Sequence, residues 1–229
     1  MKYKRIREGK FISRPNRFIA NIEIDGKTEV CHVKNTGRCK ELLVRGAAVY
    51  VQETENPERK TKYDLISVYK DGKLINMDSQ APNKVFGEWA QNSGYFKNIT
   101  LIKPECKYKN SRFDFYIEAD GRKIFVEVKG VTLENDGVVS FPDAPTERGV
   151  KHIKELVEAV ENGYDACIFF IVQMTDCRYF VPNKTTHPEF ADALVSAGNS
   201  GVDIKALNCI VTPDTLEAFR FVETHLKCD

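Results

Sequence analysis

The sequence predicts two unlike halves: a small all-β barrel over residues 1–80, and an α/β (α+β) domain with a mixed sheet over residues 81–229. Three observations carry this expectation. Residues 10–77 fall into short runs alternating between apolar and polar side chains, the period of a half-buried strand. From Pro82 onward, strand-like runs alternate with amphipathic stripes of helical spacing, the pattern of an α/β sheet. Between them, residues 112–130 hold two β-rich runs flanking Asp120-Gly121, a pair that tolerates the positive φ of a tight hairpin turn.

In the first half, Phe18, Ala20, Ile22 and Ile24 alternate with polar neighbours, and Asp25-Gly26 turns the chain into a strand over Thr28–Val33. Thr36 to Leu43 is expected to form a short helix, with Thr36 as its N-cap and Leu42 and Leu43 facing inward. Ala47–Gln52 and Lys62–Tyr69 read as strands, and Asp71-Gly72 leads into Leu74–Met77. About five strands with a helical insert before the fourth suggest a barrel of the oligonucleotide-binding type. Its available nucleic-acid contacts are Arg14, Arg17, Lys34, Arg38, Lys40 and Tyr63.

Ser79-Gln80-Ala81-Pro82-Asn83 reads as a domain junction followed by a helix start, with Val85, Phe86, Trp89 and Ala90 on one buried stripe and Gly94 at the end. Glu88 lies off the centre of that stripe. A strand over Ile99–Tyr108 precedes the central hairpin, and a second hairpin follows, turning at Asn135-Asp136-Gly137. Asp143 or Thr146 caps the next helix, whose expected buried stripe is Val150, Ile153, Val157 and Val160. Arg148, Lys151 and His152 near its N-terminus suit phosphate contact, although Lys151 also has Glu155 one turn away. Ala166–Val172 is an unbroken apolar run expected of a strand buried on both faces, with Gln173 at its end; a helix over Pro188–Ala197 and a strand over Val202–Ala206 follow.

The central hairpin carries the chemistry. A two-residue turn pairs Ala119 with Arg122, Ile117 with Ile124 and Phe115 with Val126, and sets Asp114 opposite Glu127. One face, from Phe113 and Phe115 to Val126 and Val128, is apolar; the other carries Asp114, Glu127 and Lys129. Opposed carboxylates repel and need a cation, a shared proton or open water. Two carboxylates on rigid strands can hold Mg²⁺ or Mn²⁺, and a neighbouring lysine can serve the attacking water or the phosphate. The plainer alternative is a solvated polar face on which Lys129 merely pairs with Glu127.

Composition narrows the class. With 42% apolar and 29% charged residues the chain is of soluble globular type, and no apolar run approaches a membrane span. The basic N-terminus lacks the apolar stretch of a secretory signal. Seven cysteines, without CxxC spacing, indicate reduced thiols and a cytoplasmic location. Cys31, His32 and Cys39 match no zinc-ligand pattern. Residues 1–80 hold 17 Lys/Arg against 11 Asp/Glu, and the remainder 17 against 22. The first half therefore carries the attraction for a polyanion and the second half the carboxylates.

Several stretches in order, Phe11–Phe18, Asn35–Cys39, Asp78–Asn83, Arg112–Phe115, Glu127–Leu133 and Phe141–Gly149, resemble the sugar fermentation stimulation protein family (SfsA-like) across nearly the whole chain. The resemblance implies an OB-fold-like barrel, a second domain of PD-(D/E)XK nuclease-like fold, DNA binding and a regulatory role toward sugar-utilisation (maltose) genes. Carried over by position, its nuclease-like motif falls on Asp114, Glu127 and Lys129, with Glu88 on the preceding helix. Phe113 stands where the superfamily pattern has proline.

Three functions are thus in view. The first is a Mg²⁺- or Mn²⁺-dependent nuclease, with Asp114, Glu127 and Glu88 as metal ligands and Lys129 beside the reacting phosphate. DNA is its expected partner, and a homodimer would supply two sites for two strands. The second is a non-catalytic DNA-binding transcriptional regulator that keeps the same scaffold. A third, oligosaccharide binding by the barrel, finds no dense tryptophan platform, since Trp89 is the one tryptophan.

Overall fold

A computed structural model describes residues 1–35 and 37–226. Its first half contains β1 (Ile6–Asn16), β2 (Ile19–Ile24), β3 (Lys27–Val33), β4 (Ala48–Glu53), β5 (Tyr63–Lys70) and β6 (Lys73–Asn76). These run in the order β3-β2-β1-β4-β5-β6, and an extra β3–β5 pairing closes the first five into a barrel. The alternation read from Phe18 to Ile24 holds for Ala20, Ile22 and Ile24, which are buried, while Phe18 stays exposed at the hairpin tip. The helix expected over residues 36–43 is not formed among the described residues. Its cap, Thr36, lies outside them, and the chain instead makes a turn in which Leu42 and Leu43 both donate backbone N–H groups to the Cys39 carbonyl. Leu42 and Leu43 still point into the core. Burial of two leucines was legible; the backbone that delivers them was not.

The second half contains α1 (Ala81–Asn92), β7 (Ile99–Tyr108), β8 (Ser111–Ala119), β9 (Arg122–Val131), β10 (Leu133–Asn135), β11 (Val138–Phe141), α2 (Glu147–Glu161), β12 (Asp165–Val172), β13 (Tyr179–Pro182), α3 (Pro188–Asn199), β14 (Asp203–Val211) and β15 (Leu216–Thr224). Its nine-stranded mixed sheet has the order β10-β11-β13-β15-β14-β12-β9-β8-β7. β12 runs parallel to both β9 and β14, and its Phe169, Phe170 and Ile171 are fully buried, as the unbroken apolar run requires. α1 covers one face through Phe86, whose ring lies 5.0 Å from Phe115 and 4.8 Å from Phe169. α2 covers the other through Ile153, Leu156 and Ala159. Three strands go beyond the sequence expectation: β1 precedes the first alternating run, Glu, Arg and Thr interrupt the apolar pattern of β15, and β13 is only four residues long.

Asp120 and Gly121 have φ of +52° and +72°, the backbone of a type I′ turn. That turn fixes the register, and Phe115↔Val126, Ile117↔Ile124 and Ala119↔Arg122 pair as expected. Asp25-Gly26, Asp71-Gly72 and Asp136-Gly137 make turns of the same sign.

The halves are joined by side chains as well as by the chain. Gln173, at the end of β12, donates to the Asn76 side chain and the Asp78 carbonyl. It ties barrel to sheet and is only 1% exposed. Lys73 bonds Glu134 across the same junction at 2.7 Å. Residues 1–3 also cross over, with Lys2 bridging Thr215 next to β15.

Candidate active site

The ladder between β8 and β9 ends at Phe115↔Val126, one position before the two carboxylates. There the alternation of β8 breaks. Phe115 joins the apolar cluster under α1, while Phe113 joins the cluster under α2, so residues two apart face opposite ways. This corrects the sequence expectation that Phe113 and Phe115 share a face. On β7, Glu105 lies between the partners of Phe113 and Phe115 and has φ +53°, so the neighbouring strand is irregular at the same level. Asp114 uses the opening: its Oδ2 accepts the Val128 backbone N–H at 2.8 Å, and its Oδ1 accepts from the Asn83 amide at 2.7 Å.

Glu127 is 2% exposed. Its Oε1 takes two donors, the ammonium of Lys129 and the Nδ1–H of His152 at 2.5 Å. Its Oε2 is buried with no hydrogen-bond partner. His152 in turn accepts from Arg148 Nε at 3.4 Å, so hydrogen bonds run from Arg148 through His152 to the accepting carboxylate of Glu127. Burial, and next the negative charge of Glu127, push the Asp114 carboxyl above its ordinary value, against the bonds from Val128 and Asn83. Burial alone would also push Glu127 up, but His152 and Lys129 outweigh it and hold that carboxyl low. Glu127 is therefore the fixed negative charge of the pair and Asp114 the one more easily protonated.

Asp114, Glu127 and Lys129 come together as expected, and two further residues join them. Asn83 and His152 each carry a polar side chain on a helix stripe that otherwise faces the sheet, in line with Phe86 and Ala90 or with Ile153 and Leu156. A polar residue at a buried helical position was the available signal. Other expectations need correction. Glu88 does not approach the carboxylates; it pairs with the Met1 ammonium at 2.7 Å, farther along α1. No group of three His, Cys, Asp or Glu side chains spaced to hold a metal occurs among the described residues. His152 is buried against Glu127 and offers nothing to a phosphate at the surface. Lys151 is exposed and reaches Glu155 at 3.8 Å, the ordinary helical ion pair.

The barrel residues also separate. The Arg14 guanidinium donates to the carbonyls of Arg17, Asn35, Gly37 and Arg38, and so holds the loop together from within. Lys34 is spent on Asp64 and Asp78, at 3.3 and 3.2 Å. Tyr63 is in the core. Arg17, Arg38 and Lys40 remain exposed around a groove of about 320 Å³. Cys31 and Cys39 are buried free thiols and His32 turns to Asp64, so the three form no metal site.

Residues 12–77 match the family profile of the SfsA N-terminal OB domain, and residues 80–215 that of the sugar fermentation stimulation protein RE domain. The chain belongs to the SfsA family. Sugar fermentation stimulation protein homologs from Desulfitobacterium hafniense (strain Y51) and Clostridium beijerinckii are 62% and 58% identical over 226 residues, covering 99% of this chain and 99% and 100% of theirs. The structure of Pyrococcus furiosus SfsA in complex with Ca²⁺ superposes with a TM-score of 0.89 at 28% identity, covering 98% of each chain. The OB barrel and the mixed-sheet α+β half are thus the SfsA architecture. No helix among the described residues is long and apolar enough to cross a membrane.

Proposed function

We propose that this SfsA-family protein is a divalent-metal-dependent phosphodiesterase acting on nucleic acid, with DNA the favoured substrate. The observation that carries the reading is the buried, unpartnered Oε2 of Glu127 beside Asp114. A carboxylate oxygen withdrawn from water without a partner is costly, and a hard cation with oxygen ligands is the group that satisfies it. The donor set fits Mg²⁺ or Mn²⁺, and a family member of known structure was solved in complex with Ca²⁺, a cation of the same oxygen-seeking kind.

Asp114 and Glu127 would hold the ion, which supplies Lewis-acid polarisation of a phosphate oxygen and a bound water of lowered pKa. Asn83 and the Val128 N–H fix the Asp114 carboxylate, while His152 and Lys129 occupy the other oxygen of Glu127 and so aim Oε2 inward. Lys129, 18% exposed at the side chain, is the cation at the mouth of the site and offsets charge gathering on the phosphate. Arg148 and the Arg17, Arg38 and Lys40 groove hold the backbone of the nucleic acid. Residues 1–80 then serve binding and residues 81–229 chemistry, in a cytoplasmic protein; a pair of copies would cut both strands of a duplex.

The test incubates wild type and Asp114→Ala with end-labelled single-stranded, duplex and branched DNA and RNA, with Mg²⁺, Mn²⁺ or EDTA. Metal-dependent cutting that the variant loses is the expected result. Equal nucleic-acid binding by both proteins, with no cutting of any substrate, overturns the nuclease and leaves a DNA-binding regulator.

A further inference from the structure

A cavity lies away from the carboxylate site, where the C-terminal end of α1 meets β15. It encloses about 660 Å³, in the range of small-molecule sites, and is lined by Trp89, Tyr95, Phe219 and Phe221 with Glu88 and Glu217. The rings of Trp89, Tyr95 and Phe221 stand 5.3–5.7 Å apart and make one continuous aromatic wall. Tyr95, Phe219 and Phe221 are 37%, 54% and 47% exposed, an unusual amount of aromatic surface to leave in water. Among the described residues no Lys, Arg or His belongs to the cleft lining, although the Arg220 guanidinium lies over the Phe219 ring at 5.5 Å, a cation already drawn to this aromatic surface.

The chemistry of this wall selects the sign of its guest. Ring faces carry a negative quadrupole and attract cations. Glu217 adds to that field, and with Glu88 already paired to the Met1 ammonium it leaves the cleft net negative, so the cleft does not extend the nucleic-acid surface. An ammonium already belongs to the cleft lining: the Met1 amine meets Glu88 at 2.7 Å and donates to the Leu216 carbonyl at 2.7 Å. Glu217 is exposed on the same strand face as Phe219 and Phe221 and takes part in no ion pair among the described residues.

We infer that the cleft between α1 and β15 is a binding site for a small organic cation, an alkylammonium seated on Trp89, Phe219 and Phe221 with its charge toward Glu217. This goes beyond the phosphodiesterase reading and does not depend on it.

Trp89 is the one tryptophan of the chain, so intrinsic fluorescence reports on this cleft. The probe pair is choline and its neutral isostere 3,3-dimethylbutan-1-ol, titrated at constant ionic strength into the full-length protein. Choline is expected to give a saturable change and to bind about tenfold tighter than the alcohol. Glu217→Gln, an exposed position that leaves the fold intact, is expected to remove most of that preference without altering the response to the alcohol. Phe219→Ala is expected to weaken both. No saturable response to choline, an equal response to the alcohol, or an unchanged preference in Glu217→Gln overturns the inference. So does a fluorescence change that follows protein concentration instead of choline, which would mark the face as a contact between copies.

Discussion

Asp64 in the barrel and Glu127 in the sheet are both buried carboxylates, 5% and 2% exposed, and both are held below the ordinary acid range by cations that outweigh their burial. They differ in what is left over. Arg59 grips both oxygens of Asp64, at 2.6 and 3.0 Å, with Lys34 on Oδ2 at 3.3 Å and His32 at 3.3 Å from Oδ1. Glu127 receives its two donors on one oxygen and keeps the other bare. A saturated carboxylate fastens a fold, whereas one with an oxygen in reserve has an interaction still to make.

The comparison breaks first at catalysis. Glu127→Gln and Asp114→Ala are each expected to lower metal-dependent cleavage by at least about a hundredfold. Mg²⁺ should raise the Tm of wild type by ligand linkage and leave that of Glu127→Gln unmoved. If both variants cut like wild type, the reserved oxygen is not a ligand.

Asp64→Ala should do the opposite, leaving the metal response intact while costing about 3 kcal/mol in urea unfolding, because it strands the charges of Lys34 and Arg59. A loss under about 1 kcal/mol would show that the cluster is dispensable.

Acid separates the two classes of carboxylate by sign. The folded pKa of Asp64 is depressed, so its contribution is complete above its ordinary 3.8 and is lost as pH falls from there through the lower folded value. The folded pKa of Asp114 is raised, so its ionisation opposes folding: the stability linked to its protonated form is present below 3.8 and lost as pH rises through the higher folded value. Asp114→Asn, which keeps the shape of the side chain, should therefore match or exceed wild type in metal-free stability at pH 7. A clear loss of stability at pH 7 would assign Asp114 to the same structural class as Asp64.

The cations sharpen the contrast more gently. Replacing Arg17, Arg38 and Lys40 together with Ala should lower the slope of log affinity against log salt for duplex DNA by up to about three. Lys151→Ala should change stability by less than about 0.5 kcal/mol, as for an exposed helical pair. A large effect of Lys151→Ala on DNA affinity, with none from the triple variant, would move the binding surface from the barrel to α2.

The sequence by itself determined the barrel strands from Phe18 onward, the Asp-Gly turns and the register of the central hairpin up to Phe115 and Val126. Each follows from short-range rules: side chains alternate along a strand, and a left-handed two-residue turn admits few residues. It also marked α1 and α2, and the motif residues through their family resemblance, although the buried stripe of α2 runs through His152, Ile153, Leu156 and Ala159 while Val150, Val157 and Val160 are half-buried. Tertiary structure decided the rest. Arg14 and Lys34 look like free cations in one dimension, and only folding shows their donors consumed by carbonyls and carboxylates distant in sequence. Glu88 lies five residues beyond Asn83, which carries it roughly 7 Å along α1 and about 140° around it, and its pairing with Met1 depends on a chain end crossing between halves. His152 and Asn83 became site residues because two helices press opposite faces of one sheet at the level where β8 and β9 part. Burial, and the hydrogen bonds that satisfy it or leave one oxygen without a partner, are properties of the packed molecule; no local pattern of residues encodes them.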